Sequence, residues 1–311
     1  MLVVGVIAFA STFGLEDKSS TVSMALMVLG TGLFLMGIFR LFWKSKEVVY
    51  LPTGSVAKEH SVFFDLKHMD SLVNIVNSGS FSADSDTPME DMIQDAIRRG
   101  LHGVCFTEHL DPDYPPTPDN ETFELDLSAY QENLFMLRDK YQSKLDVRFG
   151  IELGLQPHLE HSFKELLESV PFDFVIGSSH VVHGQDPYYR EFFKGRKESE
   201  CYMEYFESIL ENLAVFSEMD VYGHIDYVVR YGPNQNREYS YGRYQDILDE
   251  ILRTIISKGC GIELNTGGFH YGLGEPNPCR AVIRRYRQLG GEIITIGADA
   301  HGPVLQLRDT L

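Results

Sequence analysis

The chain predicts an α/β fold built as a barrel of parallel strands, and two observations carry that expectation. Strand-like and helix-like runs alternate regularly from about residue 85 onward, and the strand-like runs end in histidine, carboxylate or amide side chains. Regular alternation implies crossover helices lying over a parallel sheet. A third observation marks the N-terminal boundary. Residues 1–43 hold two almost uncharged stretches and no such alternation.

The first helix is announced by Thr87-Pro88-Met89-Glu90, which reads as an N-cap, a first-turn proline and a capping-box glutamate. Met92, Ile93, Ala96 and Ile97 then share one helical face, and Gly100 supplies the stop. A short strand comes next at Val104-Cys105-Phe106. Further helical periods lie near 128–144, 160–169, 199–217, 243–258 and 279–289, the last two ending in Gly259 and Gly290. Strand-like runs separate them at Val147–Ile151, Phe172–Ile176, Asp220–Tyr222, Gly261–Leu264 and Glu292–Ile296.

The functional signal lies at the strand ends. The runs close on Thr107-Glu108-His109, Glu152, Ser178-Ser179-His180, Gly223-His224-Ile225-Asp226, Asn265-Thr266 and Asp299-Ala300-His301. In a parallel barrel these positions converge on one rim, where active sites are assembled. A rim of imidazoles and carboxylates suits Zn²⁺, Mn²⁺ or Fe. Each tripeptide alone is more often a cap or a satisfied polar group. Their recurrence at one end of successive strands points to a metal site.

Charge and cysteine content exclude other classes. Residues 1–60 carry five Lys/Arg and four Asp/Glu, which leaves −19 for the remainder of a chain whose total is −18. So acidic a domain repels phosphate backbones, and no nucleic-acid partner is expected. Cys105, Cys201, Cys260 and Cys279 form no CxxC pair and are expected as reduced thiols packed like small apolar residues.

Thr21 to Trp43 contains one charge, Arg40, and its 23 residues would rise roughly 34 Å as a helix, enough to cross a bilayer core. Leu2 to Leu15 is a shorter apolar run, read as a thin first span or an interfacial helix. Arg40, Lys44 and Lys46 flank the longer run and would place everything after residue 44 on the cytoplasmic side of a membrane. The alternative is a buried hairpin. The expected organisation is a transmembrane segment over 1–43, a linker over 44–79 and a catalytic domain over 80–311.

The strings FTEHLD (106–111), FGIELGLQP (149–157), FVIGSSHVVHG (174–184), YGHIDYVVRYG (222–232), GIELNTGGF (261–269) and IGADAH (297–302) resemble the polymerase and histidinol phosphatase (PHP) superfamily, in its histidinol-phosphatase branch. The likeness begins near Phe81-Ser82-Ala83-Asp84 and spans about 230 residues. It implies a distorted (βα)₇ TIM-like barrel holding up to three divalent metals, and hydrolysis of a small phosphate monoester, L-histidinol phosphate. By that resemblance Glu152 bridges two metals, with Asp299 on the first. His180 and His224 share the second, and Asp84, His109 and His301 hold the third. Asp299 and His301 are also the implied catalytic residues. The residues themselves add Arg230, placed either to grip phosphate or in a surface salt bridge, and Asn265, which orients a ligand or caps a loop. His183 and His270 are expected to face solvent, and Phe149, Tyr227 and Tyr231 to pack.

Two departures qualify the resemblance. The family opens with Asp-x-His-x-His on its first strand, but those places fall here on Asn74, Val76 and Ser78. Asp65-Leu66-Lys67-His68 looks superficially similar but lies about ten residues too early. Only ten residues come after His301, where the family continues with another helix. The expectation is therefore a barrel incomplete at both ends, its first strand replaced. Two other readings stay open: a related phosphoesterase with a different substrate, and a non-catalytic metal-binding remnant.

Overall fold

Seven parallel strands hydrogen-bond in chain order and close into a barrel. The computed structural model describes residues 73–76, 88–117 and 123–297. The chain divides into two units, Met1–Glu47 and Val48–Leu311, and the described residues all belong to the second. The order is β1 (Val73–Val76), α1 (Met89–Arg98), β2 (Gly103–Leu110), α2 (Leu127–Tyr141), β3 (Asp146–Gly154), α3 (Glu160–Ser169) and β4 (Phe174–Ser178). It continues with α4 (Glu198–Val215), β5 (Val221–Tyr222), α5 (Gln245–Ser257), β6 (Gly261–Asn265), the one-turn α6 (Gly267–His270), α7 (Arg280–Gln288) and β7 (Ile294–Gly297).

The period-two alternation of strand side chains builds two cores. Val104 and Phe106 of β2 and Val147 and Phe149 of β3 face outward. They pack on Met92, Ile93 and Ala96 of α1 and on Tyr130, Leu134 and Leu137 of α2. The intervening Cys105 turns inward against Phe174, Ile176 and Val221 and plugs the barrel. Space inside is tight. A Cβ on Gly150 would come within 2.7 Å of Thr107 and 2.9 Å of Cys105 Sγ. On the far side Tyr205, Phe206 and Ile209 of α4 and Leu248, Ile251 and Leu252 of α5 form the larger core. All four cysteines are free thiols, three of them buried.

The expected incomplete barrel is corrected at its first strand. Val73–Val76 pairs with β2 along its whole length, and Ile75 pairs with Gly297 of β7. The run Val-Asn-Ile-Val is β-branched and apolar, and that is sufficient for a strand whatever ligands it carries. The other expected gap falls after residue 297, outside the described residues.

Two further expectations change. Pro88 sits at the N-cap of α1, not in its first turn, and among the described residues no side chain caps that helix. With ψ near 134° the proline is still extended, and its carbonyl accepts the first bond, from Asp91 N at 3.0 Å. The expected membrane localisation is also corrected, because no helix among the described residues is long and apolar enough to cross a membrane. Even α4, at 18 residues, is one-sided, burying Cys201, Tyr202, Tyr205, Phe206 and Ile209 while carrying Glu198, Glu200, Glu204, Glu207 and Glu211. The runs Leu2–Leu15 and Thr21–Trp43, on which the localisation rested, lie outside the described residues.

Candidate metal centre and its cavity

Register alone brings the first two candidate ligands together. His109 and Glu152 are direct partners across the β2–β3 ladder, so both side chains leave the sheet on the same face at the same level. They share the inward-facing side of their strands with Cys105, Thr107 and Gly150. His180 lies two residues beyond β4 and His224 two beyond β5, where both chains leave the barrel at that same rim.

Glu152 is the hub. It is completely buried, and its Oε1 lies 3.2 Å from His180 Nε2 and 3.2 Å from His224 Nε2. The two imidazole nitrogens are themselves 3.3 Å apart. His109 Nε2 stands 4.0 Å from the other oxygen, Oε2. His109, Glu152 and His180 together form a donor group of metal-binding size. Donor atoms 2.0–2.1 Å from a tetrahedral zinc lie about 3.3 Å from one another. The Glu152–His180–His224 triangle has that size, and its two nitrogens and one oxygen suit a borderline divalent ion.

The surroundings fix these ligands. Asp111 is buried and its Oδ1 accepts from His180 Nδ1 at 2.8 Å, which keeps a proton on Nδ1 and turns Nε2 toward Glu152. Asp111 Oδ2 lies 3.8 Å from His109 Nδ1. Ser178 Oγ donates to Glu152 Oε1 at 2.7 Å. A side chain at Gly223 would prevent this, since its Cβ would stand 2.2 Å from Ser178 Oγ.

Charge obeys the same geometry. Burial pushes the Glu152 carboxyl upward, but the imidazoles of His109, His180 and His224 outweigh it and hold the group well below the usual carboxylate range. Burial would lower His180, yet Asp111 and Glu152 raise it well above an ordinary histidine. His224 is lowered, because burial there exceeds the pull of Glu152. Without a cation the cluster thus keeps a proton on His180 that a metal must displace.

Arg230 lies in a 3₁₀ turn at Tyr227–Arg230 and is only 3% exposed, which sets aside the surface salt bridge. Its Nε donates to Asn277 Oδ1 at 2.8 Å and its Nη2 to Asn265 Oδ1 at 2.9 Å. Asn265 Oδ1 also accepts from Gly267 N at 2.8 Å, so that residue both orients Arg230 and caps the turn into α6. Asp226 completes the chain, accepting from Asn277 Nδ2 at 2.6 Å, and burial pushes its carboxyl up to about 6. The guanidinium lies over the rings of Tyr271 and Tyr227, at 5.0 and 5.4 Å.

Above the hub opens a cavity of about 330 Å³, with His109, His180, His224 and Arg230 on its floor and Tyr114, Tyr188, Tyr227 and Tyr231 among its walls. Tyr227 and Tyr231, expected only to pack, also line this cavity because the 3₁₀ turn carries them over the rim. Phe149 is core, stacked on Phe172 at 4.7 Å. His270 is exposed, and His183, half-exposed, bonds Glu204 and Glu211 at 3.0 and 3.1 Å. Asp84, Asp299 and His301 lie outside the described residues. Sequence reasoning missed Asp111, Ser178 and Asn277. Asp111 closes the FTEHLD string, but nothing in a linear motif marks which acid orients a histidine 69 residues away.

The PHP domain family profile matches residues 76–267. A second profile, a domain of unknown function (DUF8460), matches residues 1–48. The histidinol-phosphatase of Lactococcus lactis is 33% identical over 222 residues, covering 71% of this chain and 81% of the relative. The Saccharomyces cerevisiae histidinol-phosphatase is 23% identical over 278 residues, 73% of this chain and 82% of its own length. Among solved structures, the Lactococcus lactis histidinol phosphate phosphatase complexed with zinc, L-histidinol and phosphate superposes with a TM-score of 0.67. That match is 30% identical and covers 74% of this chain and 86% of the other.

Proposed function

Because the chain belongs to the PHP domain family, we propose that it is a metal-dependent phosphomonoester hydrolase of histidinol-phosphatase type, converting L-histidinol phosphate and water to L-histidinol and phosphate, a step of histidine biosynthesis. The observation that carries this reading is Glu152, a fully buried carboxylate with imidazole nitrogens at both of its oxygens, whose histidine partners line a cavity together with Arg230.

In this reading Glu152, His180 and His224 hold one divalent cation. Glu152 and Asp299 take part in a second, and Asp84, His109 and His301 in a third. Zn, Mn and Fe are the ions this donor set suits. Such cations, when bound, activate water and neutralise the phosphoryl oxygens. The chain's own residues do the rest. Arg230, immobilised by Asn265 and Asn277, grips the phosphate. Asp111 keeps the proton on His180 Nδ1, so Nε2 remains a donor toward the cation. Asp299 and His301 are the remaining catalytic residues of this reading.

The strand β1 supplies no histidine or carboxylate, since its residues are Val-Asn-Ile-Val. The site shared by Glu152 and Asp299 then has fewer than the three protein ligands usual for a catalytic zinc. This favours a second reading, a metal-binding domain of feeble turnover. One panel separates the two: phosphate release from L-histidinol phosphate, p-nitrophenyl phosphate and short oligonucleotides, with elemental analysis of the same sample. About two metals per chain and preference for histidinol phosphate support the first reading. Metal without turnover supports the second, and no metal at all removes both. Placing Asp at 74 and His at 76 and 78 should raise the rate.

A further inference from the structure

Arg230 is aimed by two amides, and each amide is itself held by a buried carboxylate. The guanidinium donates through Nε to Asn277 Oδ1 at 2.8 Å and through Nη2 to Asn265 Oδ1 at 2.9 Å. A carboxamide has an acceptor at one end and a donor at the other, so a turned asparagine would set N–H against N–H. For Asn277 the far end is tied by Asp226, whose Oδ1 accepts from Nδ2 at 2.6 Å. For Asn265 it is tied by Glu263, whose Oε2 accepts from Nδ2 at 3.3 Å. Gly267 N fixes only where the Asn265 oxygen sits; with Glu263 at the nitrogen the whole amide plane is set.

Glu263 lies inside the barrel. Ile262 and Leu264 pack outward in the larger core, so the alternation of β6 turns Glu263 and Asn265 inward together. The same Oε2 also accepts from His224 N at 3.1 Å, which anchors the carboxylate from a neighbouring strand end. Room for it is provided by β7. Gly297 pairs with Asn265 across the ladder, and a Cβ there would stand 1.8 Å from Glu263 Oε1 and 2.7 Å from Cδ. With no exposed surface, Glu263 acts only through its neighbours.

We propose, on the reading of Arg230 as the phosphate grip, that Glu263 is a positioning residue. From inside the barrel it fixes the Asn265 amide and so aims the Arg230 guanidinium at phosphate. Without that acceptor the amide rotates to satisfy Nδ2, its bond to Arg230 Nη2 weakens, and Asn277 alone holds the guanidinium.

The test is calorimetric titration of inorganic phosphate into the zinc-loaded full chain. Glu263→Met, similar in length and without an oxygen, should weaken phosphate binding roughly fivefold or more. Glu263→Gln still offers an oxygen to His224 N and Asn265 Nδ2 and should stay within about twofold of wild type. On an Arg230→Ala background, Glu263→Met should add less than about twofold, because its effect passes through Arg230. Full additivity there overturns the proposal, and so does wild-type phosphate affinity in folded Glu263→Met. Zinc affinity that falls as far as phosphate affinity also overturns it, since the residue would then act on His224. If Glu263→Met does not fold, Gly297→Ala decides. It displaces the carboxylate with every polar group retained, and phosphate binding should weaken by a similar factor if the proposal holds and stay unchanged if it fails. Arg230→Ala that binds phosphate normally would sink the grip reading and the proposal together. A loss in Arg230→Ala with none in Glu263→Met would sink the proposal alone.

Discussion

Gly154 and Asp111 offer two independent ways to loosen the same ligand. Asp111 Oδ1 accepts from His180 Nδ1 at 2.8 Å, and that bond holds Nε2 toward Glu152. In Asp111→Asn the amide still fits but the charge is gone, and the imidazole is no longer compelled to one tautomer. Loss of a carboxylate behind a ligating histidine weakens metal affinity about 10- to 100-fold, or roughly 1.4–2.7 kcal/mol. Gly154→Ala leaves every ligand and its partner chemically intact. However, a Cβ there would stand 1.8 Å from Asp111 Oδ1 and 2.4 Å from Cγ, so the carboxylate must swing away from His180. A similar loss is expected. The assay is zinc competition against a chromophoric chelator on the purified full chain, with circular dichroism to verify folding. Folded Asp111→Asn that retains wild-type affinity within about twofold would refute the reasoning. A normal Gly154→Ala beside a weakened Asp111→Asn would refute the steric half of it.

Glu152→Gln should cost the most, because the amide removes the charge on which His109, His180 and His224 converge; elemental analysis should show metal content falling to near background. Arg230→Lys keeps the charge but cannot bond Asn265 and Asn277 together while stacking on two tyrosines, so KM for L-histidinol phosphate should rise about tenfold or more in steady-state assays. Away from the site, Asp249 accepts from Arg285 at 2.8 and 2.5 Å, and that guanidinium holds its carboxyl at about 2. A depressed carboxyl stabilises the fold above its unfolded value near 3.9 and loses that contribution as pH falls toward about 2. Asp249→Asn should therefore cost about 1–2 kcal/mol in denaturant titrations at pH 7, after discounting for partial exposure, and progressively less between about pH 4 and 2.

Much of the barrel is legible in the chain. Expected helix 160–169 is α3 to the residue, and 199–217, 243–258 and 279–289 differ from α4, α5 and α7 by one or two residues at each end. Helical faces and strand runs are local properties, and Gly259 and Gly290, both left-handed, mark the stops where they are expected. The first strand departs from expectation for an instructive reason. Its ligand motif is absent, yet the strand is present, because strand formation depends on β-branched apolar residues and not on histidines. Membrane localisation fails differently, since it rests on a linear apolar run alone.

The sequence by itself determined the alternation, the inward and outward faces of each strand, and the imidazoles and carboxylates that end them, because each depends on a period of two or 3.6 residues. Only the tertiary structure decided which of those groups share an atom-scale neighbourhood. Ladder register sets His109 beside Glu152, and barrel closure brings His180 and His224 to one oxygen of that carboxylate. Asp111 and Asn277 gained their roles in the same way. A buried polar group is defined by what surrounds it, and those surroundings come from strands far apart along the chain.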